Sequence, residues 1–260
     1  MHSEEFITSE FLRLKKIMDE LREKCPWDRE QNFESLRPLS VEEIHELSDA
    51  ILENNPQEIK KELGDVLLHV IFYSKLAEEK KWFDLGDVIH DICEKLIRRH
   101  PHIYGNVNAD SADKVKQNWE SLKQSEKSGK SSVLDGVPSS LNSLIKSYRI
   151  QEKVSAVGFD WEKPEQVYDK VKEELDEFEK ERLKGNREKI TEEFGDVLFA
   201  LVNYARLINI DPDTALEKTN QKFIKRFRYL EEKARLLNKP LRQMTLEEMN
   251  HIWEEAKQTE

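Results

Sequence analysis

Glu42, Glu43 and Glu46, followed by Glu62 and Asp65, are matched one for one by Glu173, Glu174, Glu177, Glu193 and Asp196, at a constant spacing of 131 residues. Residues three and four apart on a helix share a face, so each set places its acids on two helix faces. If those two helices pack antiparallel, four carboxylates meet across the gap in each copy: Glu43, Glu46, Glu62 and Asp65, and Glu174, Glu177, Glu193 and Asp196. Unpaired, such a group repels itself and resists burial. A hard divalent cation removes the conflict, and ligation by oxygen alone suits Mg2+, with Mn2+ as a substitute, rather than zinc. The competing reading is a solvated acidic face. Two features weigh against it: the acids keep their register while intervening residues change, and each Glu-x-Gly-Asp stands directly before a long apolar run. Gly64 and Gly195 cost helix stability there, which suggests a close helix approach or a site.

Cations follow in "KTNQKFIKRF", where Asn220, Lys222 and Arg226 fall at helical spacing. Lys95 and Arg99 match the two cations in the first copy, with Cys93 in place of Asn220. Lysine and arginine beside a metal–carboxylate cluster are what a polyphosphate requires, since cation and metal share its charge. A helix-surface ion-pair face is the plainer account of these residues taken alone.

The elements that must position these groups are helices. Leu14, Ile17, Met18 and Leu21 recur at helical spacing, as do Leu141, Leu144, Ile145 and Tyr148,. A loop follows in each copy, "CPWDREQNF" or "VGFDWEKPEQ", then the double-Glu helix, which "NNP" or "KGN" should break,. The Glu-x-Gly-Asp helix is apolar on most of its circumference, as befits the centre of a bundle. A fourth helix closes each unit. The expected fold is therefore all-α, with two tandem four-helix units. Residues 1–108 form the first domain, 109–138 a connecting segment rich in Ser, Gly and Lys, and 139–260 the second.

The chain has 260 residues, 37% of them charged, with only 8 Gly and 8 Pro, which fits a helical protein,. A net charge of −11 argues against a duplex nucleic acid as partner but admits a nucleotide bridged by metal,. Two cysteines make no disulfide framework, and neither a signal peptide nor a membrane-length apolar run is present, so a cytoplasmic protein is expected,. Other motifs fall short. "SGKSS" lacks the first glycine of a phosphate-binding loop, Asp49 stands where a His-Glu-x-x-His zinc motif needs its second histidine, and the Glu42-x-x-His45 pair is not repeated,.

Glu-Glu-x-x-Glu with Glu-x-x-Asp after "CPWD", joined by "RRHPHIYG", "VGFDW", "EEFGDVLFALVN" and "NQKFIKRF", resembles the MazG family of nucleoside triphosphate pyrophosphohydrolases, in its two-copy bacterial form. The resemblance covers nearly the whole chain. It implies a helical homodimer that uses magnesium to cleave nucleoside triphosphates of varied base to the monophosphate and pyrophosphate. On this sequence it implies that Glu174, Glu177, Glu193 and Asp196 hold the metal, and that Glu173 assists the attacking water. Lys189, Lys222 and Arg226 would hold phosphates, with Asn220 beside them, and Trp253, Lys257 and Lys123 would touch the nucleotide. The second copy is expected to be the main site, because Glu58 replaces Lys189, Cys93 replaces Asn220, and Trp253 has no counterpart in the first. There Glu42, Lys95 and Arg99 are the matching candidates. A nucleotide-sensing dimer without catalysis and a redox carboxylate bundle are the rival classes.

Overall fold

A computed structural model of the chain describes residues 2–105 and 132–258. Among these the secondary structure is helical throughout, and the chain divides into two compact units, within residues 1–123 and 124–260. No helix among the described residues is long and apolar enough to cross a membrane.

The first unit contains α1 (Glu4–Lys24), α2 (Pro26–Glu30), α3 (Phe33–Leu52), α4 (Pro56–Glu79), α5 (Leu85–Arg99) and α6 (Pro101–Tyr104). Short polar side chains start the main ones. Ser3 caps α1, Asn32 forms a capping box with Ser35 on α3, Asn55 caps α4, and Asp84 forms a box with Asp87 on α5,. Pro26, Pro56 and Pro101 stand at the first helical positions, where a missing N–H costs nothing,. Asn54, at φ 52°, supplies the left-handed residue that lets α3 turn back as α4,. The core gathers Met18, Leu36, Ile71, Phe72, Leu76 and Leu85 from α1, α3, α4 and α5.

The second unit repeats the plan with α7 (Ser143–Ser155), α8 (Pro164–Lys184), α9 (Arg187–Leu207), α10 (Pro212–Leu236) and α11 (Leu246–Gln258). Gly185, at φ 77°, takes the place of Asn54 in the α8–α9 turn. Val167, Val171, Val197, Ala200 and Val202 are buried where α8 and α9 pack. Leu230, Ala234, Met244 and Ile252 form a separate cluster between the end of α10 and α11. Leu141 precedes α7 instead of opening it. Residues 133 and 135, in the stretch read as linker, are tied to α7 by the buried Lys153, whose Nζ donates to the carbonyls of Val133 and Asp135 at 3.3 Å each.

The Glu-x-Gly-Asp helices are not enclosed within one chain. Leu63, Leu67 and Val70 on α4, and Phe194, Leu198 and Leu201 on α9, remain exposed. The fourth helix of the first unit likewise shows Ile89, Ile92, Leu96 and Ile97 to solvent. Burial of a large aliphatic side chain contributes about 1.5–3 kcal/mol, so these faces hold back much of the stabilisation their composition offers.

Candidate active site

The α3–α4 and α8–α9 hairpins place the acids as the helical spacing requires, but each copy gathers three carboxylates rather than four. In the first copy Glu43, Glu62 and Asp65 offer oxygens that all lie within 4.8 Å of one another; in the second, Glu174, Glu177 and Glu193 do so. Glu46 and Asp196 stand outside these groups and are exposed. Asp196 still acts on Glu193: partial burial raises the Glu193 carboxyl, and repulsion from Glu177, Asp196 and Glu174 raises it further. Glu43 is raised in the same way, first by burial and then by Asp65, Glu46, Glu62 and Glu42. Gly64 and Gly195 permit no close helix approach within the chain, since a Cβ at either would meet nothing within 4 Å. They leave open space beside the acids.

The residues fit a divalent cation. Glu62 is only 3% exposed, and its Oε2 has no hydrogen-bond partner among the described residues. A buried carboxylate oxygen without a donor is costly, and an oxygen-seeking ion resolves it.

Two lysines offset part of the charge, and the copies draw them from different helices. Lys61 on α4 reaches Glu62 at 2.8 Å. Lys170 on α8 reaches both Glu173 and Glu174 at 2.8 Å, and these contacts hold its ammonium above the ordinary range. Lys170 escaped the sequence reading, although its position four residues before the buried Glu174 was the available signal. A second unforeseen group is confined to the first copy. The Ser40 hydroxyl contacts His69 Nδ1 at 2.9 Å and Tyr73 Oη at 2.8 Å, linking α3 to α4 within reach of Asp65. Burial lowers His69, against the raising effect of Asp65. Val171 and Ala200 occupy the Ser40 and His69 positions in the second copy.

Among the phosphate candidates, Lys189 is exposed in the first turn of α9; Glu181 is lowered mainly by the hydrogen bond and charge of Lys184, and only to a smaller degree by the charge of Lys189. Asn220 donates to Glu217 at 3.1 Å, and Lys222 is exposed on α10. Arg226 lies 5.9 Å from the centre of the Trp253 ring, which also packs 4.9 Å from Phe223. Lys257 pairs with Glu254 at 2.6 Å. In the first copy Lys95 and Arg99 are half-buried on α5, and Glu42 is exposed. Lys123 lies outside the described residues.

Comparison with known proteins bears on the family of the chain. The model of the MazG nucleotide pyrophosphohydrolase domain matches twice, at residues 31–104 and 162–230. The nucleoside triphosphate pyrophosphohydrolase/pyrophosphatase MazG of Thermotoga maritima is 44% identical over 250 residues, covering 95% of each chain. The nucleoside triphosphate pyrophosphohydrolase of Escherichia coli K12 is 39% identical over 255 residues, covering 95% of this chain and 97% of that one. An uncharacterized protein, YabN of Bacillus subtilis, is 43% identical over 99% of this chain and 53% of its own. With two domain matches on paired acidic hairpins and full-length relatives of this similarity, the chain belongs to the MazG nucleotide pyrophosphohydrolase family.

Proposed function

We infer that the chain is a nucleoside triphosphate pyrophosphohydrolase that uses water and Mg2+ to convert triphosphates of varied base to the monophosphate and pyrophosphate, mainly at the second copy. The observation that carries this reading is the Glu174, Glu177 and Glu193 group, its oxygens within 4.8 Å, on a domain of this family. Glu174, Glu177 and Glu193, with Asp196 beside them, would hold the ion, and Mn2+ would fit the same oxygens. When bound, magnesium supplies positive charge that balances the carboxylates and the triphosphate and stabilises the departing pyrophosphate. Glu173 accepts the proton of the attacking water, and Lys170 fixes its position at 2.8 Å,. Lys189, Lys222 and Arg226 hold the phosphates, with Asn220 assisting. Trp253, Lys257 and Lys123 complete the nucleotide contacts.

The same reasoning makes Glu43, Glu62 and Asp65, with Glu46 nearby, a second metal group, with Glu42, Lys95 and Arg99 in supporting places. Glu58 at the Lys189 position makes that copy the poorer phosphate site. The exposed apolar faces of α4 and α9 support a homodimer. The absence of a membrane-crossing helix among the described residues and the net charge of −11 accord with a cytoplasmic enzyme that binds nucleotides rather than nucleic acid. Domains at 1–108 and 139–260 with a connecting segment between them remain the working division. The test is pyrophosphate release from a mixed nucleoside triphosphate pool, with and without chelator. Release that depends on Mg2+ is expected; none from any triphosphate would overturn the assignment.

A further inference from the structure

Residues 132–141 are folded, although the composition of this stretch reads as linker. The Ser132 hydroxyl accepts from the Leu134 N–H at 3.2 Å, and the Asp135 N–H donates to the Ser132 carbonyl at 3.0 Å. The Val137 N–H donates to the Leu134 carbonyl at 3.2 Å, across Gly136, which supplies the left-handed φ of 84°,. Asn142 then caps α7 by accepting from the Ile145 N–H at 3.0 Å,.

Two lysines of α7 fasten this stretch. Lys153 is 6% exposed, and its Nζ donates to the carbonyls of Val133 and Asp135 at 3.3 Å each. Lys146 Nζ donates to the Ser139 carbonyl at 2.6 Å. Seven residues are two helical turns, so both lysines share one face, and residues 133–139 run antiparallel along about 10 Å of α7. An ammonium withdrawn from water is costly unless oxygens receive its protons, so Lys153 is a fastening rather than packing. Two residues along a helix turn the side chain by about 200°, which sends Gln151 to the opposite face. There its Nε2 donates to the Phe199 carbonyl of α9 at 2.9 Å, three residues beyond Asp196. The helix α7 is thus held between this stretch on one side and the acid-bearing helix on the other.

We propose that residues 132–141 are a strap that, through Lys153 and Lys146, clamps α7 onto α9 and so steadies the acid-bearing helix of the second unit. The chain leaving the first unit enters the second by way of this strap. An event that unfastens it frees α7 first and α9 through it, which gives the connecting segment a route to the acids. This holds whether or not the acids hydrolyse triphosphates, so amide exchange rather than turnover is the readout.

The full chain is compared with Lys153→Met, which removes the donor, with Lys153→Arg, which keeps a cationic one, and with the milder Lys146→Met at a half-buried position. Hydrogen exchange followed by mass spectrometry covers α7 and α9, with the first unit and α11 as controls. Lys153→Met is expected to speed exchange about 10-fold in both α7 and α9 while the controls stay unchanged. Lys153→Arg should exchange closer to wild type, and Lys146→Met should show the same pattern at smaller amplitude. Unchanged α9 in Lys153→Met, or Lys153→Arg as fast as Lys153→Met, would overturn the proposal. Equal acceleration in the controls would do the same, since it marks a general loss of stability. If Lys153→Met does not fold, Lys146→Met decides: faster α7 and α9 with unmoved controls supports the strap, and any other pattern refutes it.

Discussion

Replacing Arg206 with methionine tests whether the loop carrying Trp161 is held by charge. In the folded chain Asp160 accepts from both Arg206 terminal nitrogens, from the Ser155 hydroxyl at 2.6 Å and from the Trp161 N–H. The two side chains are 11% and 22% exposed, so the pair is largely but not fully desolvated. Breaking a buried pair by removing one partner costs about 3–5 kcal/mol, and residual solvation of Asp160 brings the estimate here to about 2–3 kcal/mol. For a unit of this size that is a fall in Tm of roughly 7–12 °C. The pH dependence gives an independent check. Burial raises the Asp160 carboxyl, but the bonds from Arg206, Ser155 and Trp161 together hold it below its ordinary value. A depressed folded-state pKa means that its stabilisation is present above the unfolded value, near 3.9, and is lost as pH falls through the folded one. The gap in Tm between wild type and Arg206→Met should therefore be full at pH 7 and narrow below about pH 4. Thermal unfolding followed by circular dichroism measures it, with Asp160→Asn completing a double-mutant cycle. A loss of less than 3 °C at pH 7, additivity in the cycle, or a gap indifferent to pH would refute the reasoning.

Chelation should abolish pyrophosphate release, and Mg2+ or Mn2+ should restore it; full activity after exhaustive chelation would remove the metal from the mechanism. Light scattering at micromolar concentration should give the mass of two chains, because the apolar faces of α4 and α9 need cover; an active monomer would contradict this. Glu174→Gln should lower turnover about 100-fold or more, as removal of one strong electrostatic contributor does, whereas Glu43→Gln should leave most of it. Equal, large losses in both variants would make the two copies jointly catalytic.

The hairpins and their acids were legible because repetition removes chance from a helical pattern. "NNP" and "KGN" marked the two turns that Asn54 and Gly185 now make in the left-handed region. Which acids converge was not legible. Helical spacing puts Glu46 and Glu43 on one face, but the rotation of α3 against α4 decides that Glu43 meets Glu62 and Asp65 while Glu46 stays outside. Enclosure of the apolar helices failed for a related reason. A run that is apolar all round states how much surface wants cover, and not whether the same chain supplies it. Gln151 was invisible in the sequence, because a lone glutamine on an amphipathic helix carries no pattern. Only its burial against the Phe199 carbonyl sets it apart.

The two copies differ in what surrounds a shared set of acids. Both retain all five acids, so the acids alone cannot make the copies different in function. Their neighbours can. In the first copy Lys61 neutralises Glu62 from the same helix, and Ser40, His69 and Tyr73 use their polar atoms on one another, pinning α3 to α4. In the second, Val171 and Ala200 make that seam apolar, so α8 and α9 are held by packing rather than by a polar network. Its lysine comes from α8 and touches both Glu173 and Glu174, the proposed base and a proposed ligand. A polar group already satisfied within the fold stabilises the fold; one left unsatisfied among the acids is available to a ligand. By that criterion the first copy is not spent on structure: Glu62 Oε2 has no partner among the described residues and stays open to a cation, while in the second Glu174 already pairs with Lys170.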